Sequence, residues 1–198
     1  MRYRPEMRGI LSWGTYLPHR RLDRTTIAAV AGAGGGKGHR TVAGYDEDTT
    51  DRTIACLDAG VLQGASIMAN MPSTGRAVDY ARSRPDLCFG IHLVFCTDTV
   101  ERPLSAPGSI PALLQGDGTF LPSNRVRLLG LMGRLPADQI AIEMSAQLGR
   151  LFDCGVAVRY VDSHGHLHKL LPFQRALAEV LPRFNIRAVR IAQDTFLG

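Results

Sequence analysis

The run "LCFGIHLVF", Leu87 to Phe95, is apolar at nearly every position and shows no polar–apolar alternation. A strand with one wet face alternates. An unbroken run of this length therefore reads as a strand covered on both faces, the situation of a parallel sheet under helical crossovers. Its neighbours supply those crossovers. Upstream, residues 51–60 place Ile54 and Leu57 on one helical face and stop at Gly60; "ASIMAN" from Ala65 reads as a buried strand, and residues 73–83 as a helix opened by Ser73. Downstream, a helix is predicted from Pro136, a residue favoured in the first turn, to Gly155, with Ile140, Met144, Leu148, Leu151 and Phe152 inward. The strand "VAVRYV" (156–161), a helix over about Pro172–Phe184 and a last strand "IRAVRIA" (186–192) continue the rhythm. The fold class is accordingly α/β with mainly parallel strands, an incomplete or variant β/α barrel of the TIM type. Between Cys96 and Gly133 the chain is irregular and rich in Pro, Gly and Ser, which predicts a functional loop or small insertion.

A chain of 198 residues that is 45% hydrophobic is sufficient for one well-buried domain. The net charge of +5 comes from 23 basic and 18 acidic residues spread along the chain, so the basic "MRYRPEMR" and "PHRR" stretches read as solvated ends and no nucleic-acid partner is expected. Cys56, Cys88, Cys96 and Cys154 lie in apolar segments without metal-ribbon spacing, which predicts buried free thiols and a reducing compartment. No long apolar run marks a signal peptide or membrane span, so a cytoplasmic location is expected. Near the N-terminus, "GILSWGTYLP" (9–18) reads as a strand and Leu22–Ala31 as a helix. "GAGGGKG" (32–38) fails as a phosphate loop: Ala31 stands where the first glycine should be, and Gly38 follows Lys37 where a Ser or Thr belongs.

Sites in parallel α/β architectures lie at the carboxyl ends of strands. "YVDSHGHLHK", Tyr160 to Lys169, begins at one such end and concentrates three of the six histidines. In an extended segment, alternation would aim His164, His166 and His168 to one side, with Gly165 leaving room between the first two. Three such imidazoles suit a divalent metal, whereas without one they repel when protonated. His92 sits inside the apolar strand, where desolvation requires a hydrogen bond or a metal. Taken alone it reads as a satisfied core histidine; taken with the histidine stretch it reads as a ligand.

The stretches "AGVLQGASIMAN" (59–70), "GIHLVF" (90–95), "GDGTFLPSN" (116–124), "EMSAQLGRLFDCGV" (143–156), "VDSHGHLHK" (161–169) and "IRAVR" (186–190) occur in the order found in the YdjC family of carbohydrate deacetylases, which residues 51–198 resemble. That resemblance implies a variant β/α barrel and removal of acetyl groups from N-acetylated saccharides. It also implies one divalent metal ion, zinc or magnesium, held through His92 and His164, with His166 completing the metal site. Asp162, His168 and Arg190 are implied as substrate-binding residues, and the catalytic residue is unassigned. Residues about 7–50 resemble instead the N-terminus of thiolase-fold condensing enzymes of the hydroxymethylglutaryl-CoA synthase kind. They are expected to form a separate segment, 1–50, joined to a deacetylase-like domain, 51–198.

The YdjC family takes its acidic ligand and base from an Asp-Asp-Phe-Gly motif at the end of its first strand. Here the corresponding stretch reads "RTVAGYDEDTTD", with Asp46 and Asp48 the nearest substitutes. Two functions follow as alternatives, a metal-dependent deacetylase or a catalytically impaired metal-binding α/β domain. An incomplete barrel would also leave sheet edges unpaired, which predicts a homo-oligomer.

Overall fold

The computed structural model describes residues 42–97 and 101–190. Four strands, β1 (Val42–Ala43), β2 (Gly64–Ile67), β3 (Cys88–Leu93) and β4 (Val161–Ser163), form one parallel sheet in chain order. The register sets Val42 opposite Ser66, Ser66 opposite Gly90, and His92 opposite Asp162. Val189 continues the sheet as a single parallel bridge to Val161. Helices α1 (Glu47–Asp58) and α2 (Thr74–Ser83) are the first two crossovers; α3 (Ser123–Leu131) and α4 (Ala137–Asp153) lie between β3 and β4, and α5 (Leu171–Val180) follows β4.

The opening run behaves as a two-sided strand, with Phe89, Ile91, Leu93, Val94 and Phe95 all buried. On α4, Ile140, Met144, Leu148 and Leu151 are completely buried at spacings of four, four and three, one face of a helix. Each such side chain contributes about 1.5–3 kcal/mol of burial. Phe152 was expected on the same face but is 37% exposed, because one further residue rotates it about 100° from Leu151. Helix α4 packs on α5 and β3, and the Phe95 ring meets Phe173 of α5 edge-on at 5.1 Å.

Several elements differ from the sequence expectation. Among the described residues the sheet is open and no barrel closes. Strand β4 begins only at Val161, although the Arg159 amide already donates to Phe89 O and Tyr160 O accepts from Ile91 N. Helix α3 arises inside the stretch read as irregular, and the last predicted helix ends at Val180, with Pro182 inside the tighter turn Leu181–Phe184. All four cysteines are free thiols, as expected, but Cys88 and Cys154 are exposed rather than buried. Residue 50 itself lies inside α1, and β1 before it is paired with β2. The strand and helix expected at 9–18 and 22–31, and the end of the strand expected over 186–192, lie outside the described residues.

Candidate active site

The carboxyl ends of β3 and β4 bring His92 and Asp162 together across one register step. His92 Nδ1 stands 2.6 Å from Asp162 Oδ1, and both residues are buried, at 6% and 3% exposure. An ionised carboxylate can only accept, so the proton of this bond sits on Nδ1 and the lone pair of a neutral His92 lies on Nε2. That Nε2 is buried and has no hydrogen-bond partner. An unsatisfied buried polar atom costs about 1–3 kcal/mol, so its retention points to a ligand or reacting group that offsets the cost.

The second oxygen of Asp162 is held as well. Ser66 Oγ, from β2, lies 3.1 Å from Asp162 Oδ2 and 3.1 Å from the Tyr160 hydroxyl, while Arg190 Nη1 approaches the same carboxylate oxygen at 3.3 Å. Burial alone would raise the Asp162 carboxyl, but the hydrogen bonds of His92 and Ser66, with the charge of Arg190, outweigh it and hold the carboxyl below its ordinary value. Burial pushes the Tyr160 hydroxyl up to about 12, so it stays protonated at neutral pH. Gly90 permits this arrangement: a Cβ there would stand 2.6 Å from the Tyr160 ring. Ser66 and Tyr160 escaped sequence reading, although a lone serine within "ASIMAN" and a glycine beside "IHL" were the available signals.

Beyond β4 the histidine stretch does not run extended. His164–Lys169 curls into a 3-10 turn in which Gly165 (φ +62) and His166 (φ +58) are left-handed. Ser163 Oγ closes the curl, accepting from the His168 amide at 2.9 Å and lying 2.7 Å from His168 Nδ1. The curl sorts the imidazoles into two pairs. His164 is buried with its ring 5.8 Å from that of His92, while exposed His166 lies 6.2 Å from buried His168. Burial lowers the His168 pKa against the opposing pull of the Arg190 backbone and Asp162, so this ring is neutral at neutral pH. Of the residues singled out by sequence, His92, Asp162, His164 and Arg190 meet at the strand ends, and His168 serves the curl through Ser163.

The substitutes considered for the acidic ligand are engaged elsewhere. Asp46 caps α1, accepting from the Thr49 amide at 2.7 Å, and Asp48 pairs with Arg52 at 2.9 Å on the same helix; both are exposed. Among the described residues no three His, Cys, Asp or Glu side chains form a group that would hold a metal. The donor chemistry of His92 Nε2 beside His164 fits two positions of a divalent-cation site. A carboxylate for a third is not among the described residues.

The YdjC-like protein family model matches residues 43–197. A carbohydrate deacetylase of Geobacillus stearothermophilus is 34% identical over 153 residues, covering 76% of this chain and 58% of the relative. A carbohydrate deacetylase of Thermoanaerobacter pseudethanolicus is 30% identical over 146 residues, covering 72% and 55%. The chain thus spans little more than half the length of these relatives. Among solved structures, an Enterococcus faecalis V583 protein provisionally described as cleaving cellobiose-phosphate superposes with a TM-score of 0.68 at 19% identity, over 78% of this chain and 57% of that one. The family match begins at residue 43, inside the segment 1–50 that was read from the sequence as separate. Among the described residues no helix is long and apolar enough to cross a membrane.

Proposed function

The chain belongs to the YdjC-like protein family, and from that premise we propose that it is a carbohydrate deacetylase, a hydrolase that splits the acetamide of an N-acetylated sugar into free amine and acetate. The observation that carries the reading is the buried, unpartnered Nε2 of His92, set beside His164 at the end of a parallel strand. In this reading Asp162 fixes the His92 ring and tautomer, so that the lone pair on Nε2 stays aimed into the site. Ser66 and Arg190 keep Asp162 ionised and immobile. His92 and His164 would hold a divalent cation, zinc or magnesium; when bound it would polarise the acetamide carbonyl and acidify a water.

The competing reading is a domain that binds without turnover, and its supporting observation is the engagement of Asp46 and Asp48 at the surface. One experiment separates the two. Acetate release from N-acetylglucosamine oligomers is measured for the parent, His92→Ala and His164→Ala, with and without added zinc or magnesium, alongside bound-metal content. Deacetylation predicts release by the parent and loss of at least about 100-fold in both variants. A parent that keeps metal but releases no acetate would overturn the hydrolase reading in favour of the binding domain.

A further inference from the structure

Helix α3 turns its largest apolar side chains to water. Its buried residues are Val126 and Gly130, with Leu129 partly buried, whereas Leu128, Leu131 and Met132 are each more than half exposed. With 3.6 residues per turn, those three fall within one sector of about 100°, opposite Val126 and Gly130. Arg125 flanks the sector on one side and Arg127 on the other, both exposed, and exposed Arg134 follows the helix. No Asp or Glu occurs between Gly118 and Ala137. The surface continues onto α5. A Cβ on Gly130 would stand 2.6 Å from Leu170 Cδ1, so the two segments pack closely, and Leu171, next in the chain, is again more than half exposed. Arg175, one helical turn further on, is exposed too, and residues 164–178 also lack any acid.

We propose that this face docks on an anionic lipid bilayer, with α3 lying in the interface plane and not crossing it. Single exposed leucines are ordinary on protein surfaces; a group of them rimmed by one sign of charge marks an interaction surface. The pattern is that of an interfacial helix, whose apolar stripe enters the headgroup boundary while flanking basic side chains meet lipid phosphates. Charge selects this partner over others. A second copy related by a twofold axis would bring Arg125, Arg127 and Arg134 against their own counterparts with no acid between them. A nucleic acid would use the arginines but leave Leu128, Leu131 and Met132 in water. An anionic bilayer takes up both, because electrostatic attraction and apolar burial act together there. Docking would also hold the histidine curl beside the membrane surface, since Arg127 Nη2 donates to Gly165 O at 2.6 Å. The inference is independent of the deacetylase reading.

The test is co-sedimentation of the full chain with vesicles of phosphatidylcholine alone or containing about 30% phosphatidylserine. The parent is expected to partition at least about tenfold more strongly onto the anionic vesicles, and less as salt is added. Leu128→Ser combined with Leu131→Ser, checked for native circular dichroism, is expected to lower that partitioning at least about tenfold. Arg125→Gln combined with Arg134→Gln is expected to lower it about tenfold on the anionic vesicles only. Ile142→Ser, which alters an exposed apolar residue of α4 instead, is expected to leave it unchanged. A parent that stays in the supernatant, or that sediments equally with both vesicle types, overturns the proposal. So does a double leucine variant that sediments like the parent. A parent dimer in analytical ultracentrifugation that the leucine variant loses, with no vesicle binding, assigns the face to a second copy and overturns the membrane reading.

Discussion

The ends of β1 and β4 belong to one parallel sheet, yet they treat their carboxylates in opposite ways. After β1, Asp46 and Asp48 stay at the surface, one capping α1 and the other paired with Arg52. At β4, Asp162 is buried and contacted by His92 from β3, Ser66 from β2, and Arg190. The difference lies in which donors each backbone offers. The first turn of α1 exposes amides that no carbonyl takes, and a carboxylate one residue ahead satisfies them while remaining in water. Asp162 lies within a strand, where the ladder occupies the local amides, so donors must come from side chains on neighbouring segments. Proximity in sequence to a strand end therefore does not by itself make an acid part of a site.

Substitution at the buried end should have the largest effect. Asp162→Ala would leave the Nδ1–H of His92 and the hydroxyl of Ser66 without their acceptor, and breaking a buried pair of this kind costs about 3–5 kcal/mol. In a chain of this size that is a fall in Tm of roughly 6–20 °C in a thermal melt. On the proposed deacetylase reading, acetate release should also fall by about 10–100-fold, since His92 loses the group that fixes its ring. A variant melting within a degree of the parent would mean that Asp162 is not held as described. Gly90→Ala comes next, because its Cβ would have to displace the Tyr160 ring from 2.6 Å. Overpacking of this sort costs about 1–3 kcal/mol. The expected signature is lower stability with a partial loss of activity, as Ser66 loses its second hydroxyl partner; full activity would separate Tyr160 from the site.

The same contrast explains what could be read from the sequence. Strands β2 and β3 and helix α4 were legible because burial there is continuous or strictly periodic, as in Leu87–Phe95 and in Ile140, Met144, Leu148 and Leu151. Helix α3 was not, since Pro122 supplies no capping side chain and Leu128 and Leu131 are exposed, which breaks the amphipathic pattern. The curl at His164–Lys169 was hidden for another reason. Alternating histidines predict a shared face only if the backbone is extended, and here two successive left-handed residues and the closure by Ser163 reverse it. Clustering of His92 with His164 and Asp162 was recoverable from composition and strand position; the division into two imidazole pairs required the turn geometry.

The smallest effects belong to the exposed end, and they sharpen the comparison most. Asp46→Ala removes the acceptor for the Thr49 amide and should cost about 1 kcal/mol, while Asp46→Asn, itself a good cap, should cost a few tenths. Asp48→Asn breaks only an exposed pair one helical turn apart with Arg52, about 0.3–0.5 kcal/mol. None of the three should change acetate release or metal content, because neither carboxylate is directed to His92. Denaturant midpoints order the stability effects, and the acetate assay tests the separation. Should Asp46→Asn, with its cap intact, lose acetate release, that carboxylate must leave the helix end during turnover, and the two strand ends would then share one site.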